Sequence, residues 1–271
     1  MSIGDLQIAV DWAAAEGWNP GLEDAEAFLA VDPGGFLMGW LGDTPVTAIS
    51  VVRHSDRFGF LGFYLCAPEY RGKGFGWKTW QAGIAHLGDR VVGLDGVPAQ
   101  EANYEKSGFV LSHYTHRYAG HVAGNLDSDV RSAASKDLPA LLALDSEISG
   151  TDRSAYLSTW FREAKTRRTL ILDRAGQITA VGTIRKCRDG HKIGPLFAPD
   201  AGTAVILIRS LVATANARGI MLDIPETNTA GVEIAEQLGL EPAFSCARMY
   251  LGSPLDRCTC RIFGETSFEL G

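Results

Sequence analysis

The stretch CAPEYRGKGFGWKTW, residues 66–80, sets Gly72, Gly74 and Gly76 on alternate positions beside Arg71 and Lys73. Glycines spaced this way let a bulky group approach the main chain without meeting Cβ atoms, and the cations suit an anion. Two common phosphate-binding patterns fail here. A dinucleotide fingerprint needs a glycine where Trp77 stands, and a P-loop laid on Lys78-Thr79 needs the same replacement. What remains is a strand, a turn and a helix. FGFLGFYLCA (58–67) is apolar and aromatic, Pro68 stops it, and GFGWKTWQAGIAHL from Gly74 carries apolar residues near helical spacing. The first amides of such a helix lack intrahelical partners and lie at its positive end, so they can hold an anion. The alternative is a glycine-rich turn that only packs.

The motif R-G-x-G-x-G after an apolar strand ending in AP, then a helix, a strand RVVGLDG and the segment NYEKSGF, resembles the GCN5-related N-acetyltransferase (GNAT) superfamily. The resemblance implies acetyl-CoA as the acyl donor. Arg71, Gly72, Lys73, Gly74, Phe75 and Gly76 would then cradle its pyrophosphate, and Leu65 and Cys66 would pair with the pantetheine arm through their main chain. It also implies that Tyr104 lies near the coenzyme sulfur as general acid. A phenol with a pKa of ~10 stays protonated at neutral pH and can donate to a departing thiolate. The alternative for Tyr104 is an aromatic that packs a helix on a sheet. The chain departs from the family where a coenzyme-contacting asparagine is often found, because Val97 stands there; Asn103 is the nearest substitute.

The pattern recurs. LCAPE (65–69) returns as LFAPD (196–200), and SGF (107–109) as LGL (238–240), both displaced by 131 positions (196 − 65 and 238 − 107). At that displacement Arg71, Gly72, Gly74 and Gly76 correspond to Gly202, Thr203, Val205 and Leu207, Tyr104 to Ala235, and Val97 to Asn228. The second copy therefore lacks the means to bind a pyrophosphate. The expected fold is α/β (α+β): two tandem domains, each a mixed, mostly antiparallel sheet flanked by helices, the second degenerate, as in tandem bacterial members of the superfamily. The junction is expected in AGHVAGNLDSD (119–129), giving a coenzyme-binding catalytic domain over 1–124 and a structural or acceptor-site domain over 125–271.

The acceptor side is less defined. Trp18, Asp24 and Glu26 in EGWNPGLEDAEAF suit a cationic amine, but also a core anchor and a first helical turn. Asp95 is a candidate general base at the end of a strand beside the expected cleft, or a turn-forming Asp before Gly96. His54 and His113 are weaker candidates. Cys66 as a nucleophile is set below direct transfer. The short basic run EAKTRRT (163–169) reads as a solvated helix end.

Composition excludes other classes. A formal net charge of −7 over 271 residues offers no field to collect nucleic-acid phosphates. Five scattered cysteines suit reduced thiols, and CTC (258–260), without a second pair or a histidine at ligand spacing, argues against zinc. The N-terminus carries acids rather than a basic leader, and no apolar run is long enough to span a membrane, so a cytoplasmic protein is expected. The expected activity is acetyl transfer from acetyl-CoA to a primary amine, on a small molecule or a peptide. The alternatives are an acetyl-CoA sensor without turnover and a pseudo-enzyme scaffold.

Overall fold

The computed structural model describes residues 1–271. The first half runs α1 (Ile3–Ala15), α2 (Asp24–Val31), β1 (Phe36–Leu41), β2 (Thr44–Arg53), β3 (Phe58–Cys66), α3 (Phe75–Leu87), β4 (Val91–Gly96), α4 (Glu101–Lys106) and β5 (Val110–Gly120). After a short strand β6 (Val130–Ser132), the second half repeats this order. It comprises α5 (Leu138–Ser149), α6 (Ser154–Trp160), β7 (Arg167–Arg174), β8 (Gln177–Lys186), β9 (His191–Phe197), α7 (Ala201–Ala215), β10 (Ile220–Pro225), α8 (Thr229–Gln237) and β11 (Glu241–Leu251), followed by β12 (Ile262–Gly264). Two copies of one unit are thus legible element by element. No helix is long and apolar enough to cross a membrane.

The copies are not separate bodies. All strands join one sheet in the order β1-β2-β3-β4-β11-β5-β10-β9-β8-β7-β6, with β12 on β9. The last strand of the second half, β11, lies between β4 and β5 of the first, and β5 in turn pairs with β10. Each half's closing strand is therefore seated in the other's sheet. Period-2 alternation then sorts side chains to opposite faces. On β2, Ala48 and Val52 enter a 27-residue core shared by α1, α2, α5 and α6. Ile49 and Val51 face the smaller core under α3 and α4. A third core lies under α7 and α8.

Buried ion pairs lock the exchange. Arg117 on β5 holds Asp223 on β10 with two bonds of 2.6 and 2.8 Å, Arg248 on β11 holds Asp95 on β4 at 2.6 and 2.7 Å, and Arg185 on β8 reaches Asp24 on α2 at 3.1 Å. Each pair takes one member from each half. Removing one partner of such a pair would leave the other charge buried and uncompensated, a cost of ~3–5 kcal/mol.

One reading is corrected here, and one pair of alternatives is decided. Arg167, in the run taken as a solvated helix end, is 4% exposed and lies with its guanidinium 5.0 Å over the Trp160 ring. Asp24 belongs to the ion pair with Arg185 and accepts the Gly21 amide at 2.8 Å, so it anchors the core rather than an acceptor. Glu26 stands exposed on α2.

His54 and His113 are also structural. His54 donates from Nε2 to the Leu270 carbonyl at 2.8 Å, and neither its Nδ1 nor His113 Nε2 has a partner. Burial, reinforced by Arg153 beside His54 and Arg248 beside His113, pushes both down to about 4. Histidines that charge near 6.5 when unfolded but stay neutral when folded give the unfolded state more bound protons in between. Stability is then complete above about 6.5 and falls as pH drops toward 4, by up to ~3 kcal/mol per histidine. The melting temperature should decline across that window, with a shallower slope in His54→Gln; a flat profile down to pH 4.5 would contradict this.

Candidate active site

The site begins where β3 and β4 part. They pair in parallel from Phe58–Val91 to Leu61–Leu94 and no further, while β3 continues to Cys66 on its β2 side. Phe63 takes a left-handed φ of 45° opposite an irregularity in the β2–β3 register, a conformation uncommon for a non-glycine residue. Beyond this bulge the β4-facing edge of β3 has no strand partner, and a cavity of about 420 Å³ opens there.

The glycine loop closes one end. Gly72 and Gly74 have φ of 73° and 82°, and a Cβ at either would meet nothing within 4 Å. Gly74 is the N-cap of α3 and offers no side chain to its amides. The first bond of the helix is Lys78 N–H to the Gly74 carbonyl at 3.3 Å, so the amides of Phe75, Gly76 and Trp77 precede it. Open space in front of uncapped amides fits a phosphate oxyanion. At Gly76 the tolerance is used internally, since a Cβ would lie 3.0 Å from the Tyr64 hydroxyl.

The second copy is built differently. Only residues 198–200 separate β9 from α7, so Gly202, Thr203, Val205 and Leu207 are helical and the longer glycine loop has no counterpart. Asp200 caps α7, accepting the Thr203 amide at 2.8 Å, which puts a carboxylate where an anion would have to sit. Asn228 is likewise a cap: its Oδ1 accepts from the Gly231 amide and its Nδ2 donates to the Ile262 carbonyl.

At the opposite wall, Tyr104 on α4 is 8% exposed and stacks on Trp80 with ring centroids 5.7 Å apart. Gly96 makes this possible, because a Cβ there would overlap the Tyr104 ring. The Tyr104 hydroxyl has no hydrogen-bond partner within the chain, and burial raises its pKa above the usual phenol range, so it is protonated at neutral pH. The hydroxyl is thus free to meet a group that enters the cavity, which Tyr104 lines.

The structure brings Leu65, Cys66, Arg71, Gly72, Gly74, Gly76, Asp95 and Tyr104 onto this one cavity. Burial raises the Cys66 thiol, which disfavours a nucleophile. Three of the loop's side chains are engaged elsewhere, which leaves the expected cradle to backbone amides. Arg71 turns away from the loop, donating from Nε to the Cys66 carbonyl at 2.9 Å and pairing with Glu16 of the α1 end, so it braces the strand end. Lys73 donates to the Glu69 carbonyl and lies 5.6 Å over the Tyr70 ring, outside the cavity wall. The Phe75 side chain packs edge-on against Tyr70, leaving only its amide for the loop.

Asp95 is a correction. Its side chain is fully buried and both oxygens are taken by Arg248. Burial pushes its carboxyl up to about 6 while Arg248 pulls it down. A carboxylate held bidentately has no free oxygen aimed at a substrate, so Asp95 is a joint between the halves, neither a base nor a turn former. Asn103 bonds Gln100 and Lys106 on the outer face of α4 and does not reach the cavity.

Sequence reading missed the residues that the second half contributes. Phe244 and Cys246 on β11 and Phe268 and Glu269 in the segment after β12 line the same cavity. Residues 262–271 are all buried, threaded between the halves. The one signal was an isolated acid in the apolar string SFELG. Trp18, which the sequence did single out, also lines the cavity; its carbonyl is held by Arg117 at 2.9 Å and Lys192 at 2.8 Å. No group of three or more His, Cys, Asp or Glu side chains is arranged to hold a metal.

Comparison with known proteins agrees with this architecture. The GNAT acetyltransferase family model matches residues 7–109, and a GNAT acetyltransferase domain model matches 141–264. The chain is 32% identical over 273 residues to a holothin acyltransferase of Pseudoalteromonas sp. (strain SANK 73390), spanning 100% of this chain and 92% of that protein. Its fold matches a Pyrococcus horikoshii protein with a TM-score of 0.84 at 22% identity, covering 100% of this chain and 94% of the other. It also matches a tandem GNAT protein from the clavulanic acid biosynthesis pathway with a TM-score of 0.64 at 14% identity, covering 93% and 95%. With two copies of the fold and a full-length acyltransferase relative, this chain belongs to the GNAT superfamily of acyltransferases as a tandem member.

Proposed function

We propose that this protein transfers an acetyl group from acetyl-CoA to a primary amine by direct attack, with coenzyme binding and the general acid carried by residues 1–124 and the remainder, 125–271, completing the acceptor side. The observation that carries the reading is the pairing of one uncapped, glycine-lined helix start with the Tyr104 phenol on a single cavity. Bound acetyl-CoA would supply an activated thioester. The amides of the loop and of Phe75, Gly76 and Trp77 hold the pyrophosphate. The free edge of β3 at Leu65 and Cys66 aligns the pantetheine arm, and an amide at the bulge stabilises negative charge on the thioester oxygen. Tyr104 holds a proton ready for the sulfur.

The test is release of coenzyme A from acetyl-CoA on addition of a primary-amine panel. Amine-dependent release well above the rate without amine is expected. Tight acetyl-CoA binding with no release for any amine would instead describe a sensor, and no acetyl-CoA affinity would leave a scaffold.

A further inference from the structure

Glu269 is 2% exposed, and neither of its carboxylate oxygens has a hydrogen-bond partner. That sets it apart. Each of the other buried carboxylates is bonded to an arginine: Asp24 to Arg185, Asp95 to Arg248, Asp137 to Arg131, Asp145 to Arg153, Asp223 to Arg117 and Glu265 to Arg257. Keeping a charge out of water without a partner is costly. Glu269 lines the cavity, and Arg117, Arg185 and Lys192 act on its carboxylate only through space, so its hydrogen-bonding capacity is unspent and available to a group that enters.

Its position says what. A Cβ at Gly62 would overlap the Glu269 carbonyl, so the glycine is needed for the main chains to touch. Gly62 follows Leu61, the last residue of β3 paired with β4, and precedes the bulge at Phe63. Glu269 is thereby fixed at the fork of β3 and β4. Beside it, Phe268 and Phe244 form an aromatic corner with centroids 6.1 Å apart, and Arg117 fills the far side of both rings at 5.0 and 5.5 Å. Trp18 adds a third aromatic to the wall. The cavity of about 420 Å³ must also admit the end of the donor, which leaves room for a compact acceptor only.

We infer that Glu269 receives the acceptor nitrogen and takes its proton, and that the acceptor is a compact amine with a flat apolar body seated against Phe244, Phe268 and Trp18. This rests on the acetyl-transfer reading above. An amine arriving as ammonium is drawn to a lone carboxylate and to aromatic faces. Glu269 accepts one proton, and the freed lone pair forms the N–C bond at the thioester carbonyl as the C–S bond breaks. Tyr104 gives its proton to the departing sulfur and regains one from the nitrogen. The ammonium thus loses two protons and ends as an amide, and Glu269 returns its proton to solvent.

The experiment compares wild type with Glu269→Gln, both saturated with coenzyme A, titrated with benzylamine, spermidine and a short lysine peptide. Wild type should bind benzylamine in preference to the other two, and the variant should bind it at least 10-fold more weakly. Acetyl-CoA affinity should be unchanged in the variant, which shows that it is folded. Equal benzylamine affinity in the two proteins, a preference for spermidine or the peptide, or no benzylamine binding by wild type would each overturn the inference. Loss of acetyl-CoA binding by wild type would instead defeat the acetyl-transfer reading itself.

Discussion

Tyr104→Phe should lower turnover by ~10² or more while leaving acetyl-CoA affinity and folding nearly unchanged. The substitution keeps the ring that stacks on Trp80, meets Phe109 edge-on and fits over Gly96, and removes a hydroxyl that holds no bond within the chain. Packing therefore loses little. What is lost is the proton for the sulfur, and general acid catalysis of that kind contributes ~10²–10⁴-fold. Because burial holds the phenol protonated well past neutral pH, the wild-type rate should show no loss from Tyr104 ionisation below pH 10. Single-turnover measurement, where chemistry limits the rate, checks this. An unchanged rate in Tyr104→Phe would return Tyr104 to a packing role.

How far the sequence reached depends on the span of the contacts involved. The glycine loop was legible because close approach of an anion and an uncapped helix start constrain residues within a few positions of each other. The duplication was legible because its displacement is constant. Boundaries came close: the strand read at 58–67 is β3 at Phe58–Cys66, and the helix read from Gly74 is α3 at Phe75–Leu87. The strand exchange left no comparable trace. β11 pairs as readily with β4 and β5 as any apolar strand would, and nothing local states which sheet receives it. Asp95 shows the consequence. In the string VVGLDG it reads as a turn or a cleft residue, yet its role is set by Arg248, 153 positions away. Arg71 looks like a phosphate ligand beside glycines, and its geometry is instead set by Glu16 of α1. Glu269 becomes visible only once Gly62, more than 200 positions earlier, is known to touch it.

The central claim is an asymmetry: two copies of one fold, with a single coenzyme site. Gly72 and Gly74 keep open space before the bare amides of α3, whereas α7 follows β9 after three residues and carries the Asp200 carboxylate at its N-cap. Replacing both glycines with valine would place side chains where the pyrophosphate must lie, and should reduce affinity at least 10³-fold, about 4 kcal/mol. Both positions have positive φ, so the melting temperature must confirm that the variant is folded. Calorimetric titration with acetyl-CoA measures the asymmetry directly. The predicted result is a stoichiometry near one per chain for the wild type and no detectable binding for the folded Gly72→Val, Gly74→Val protein. A stoichiometry near two, or binding that survives in the double variant, would contradict it.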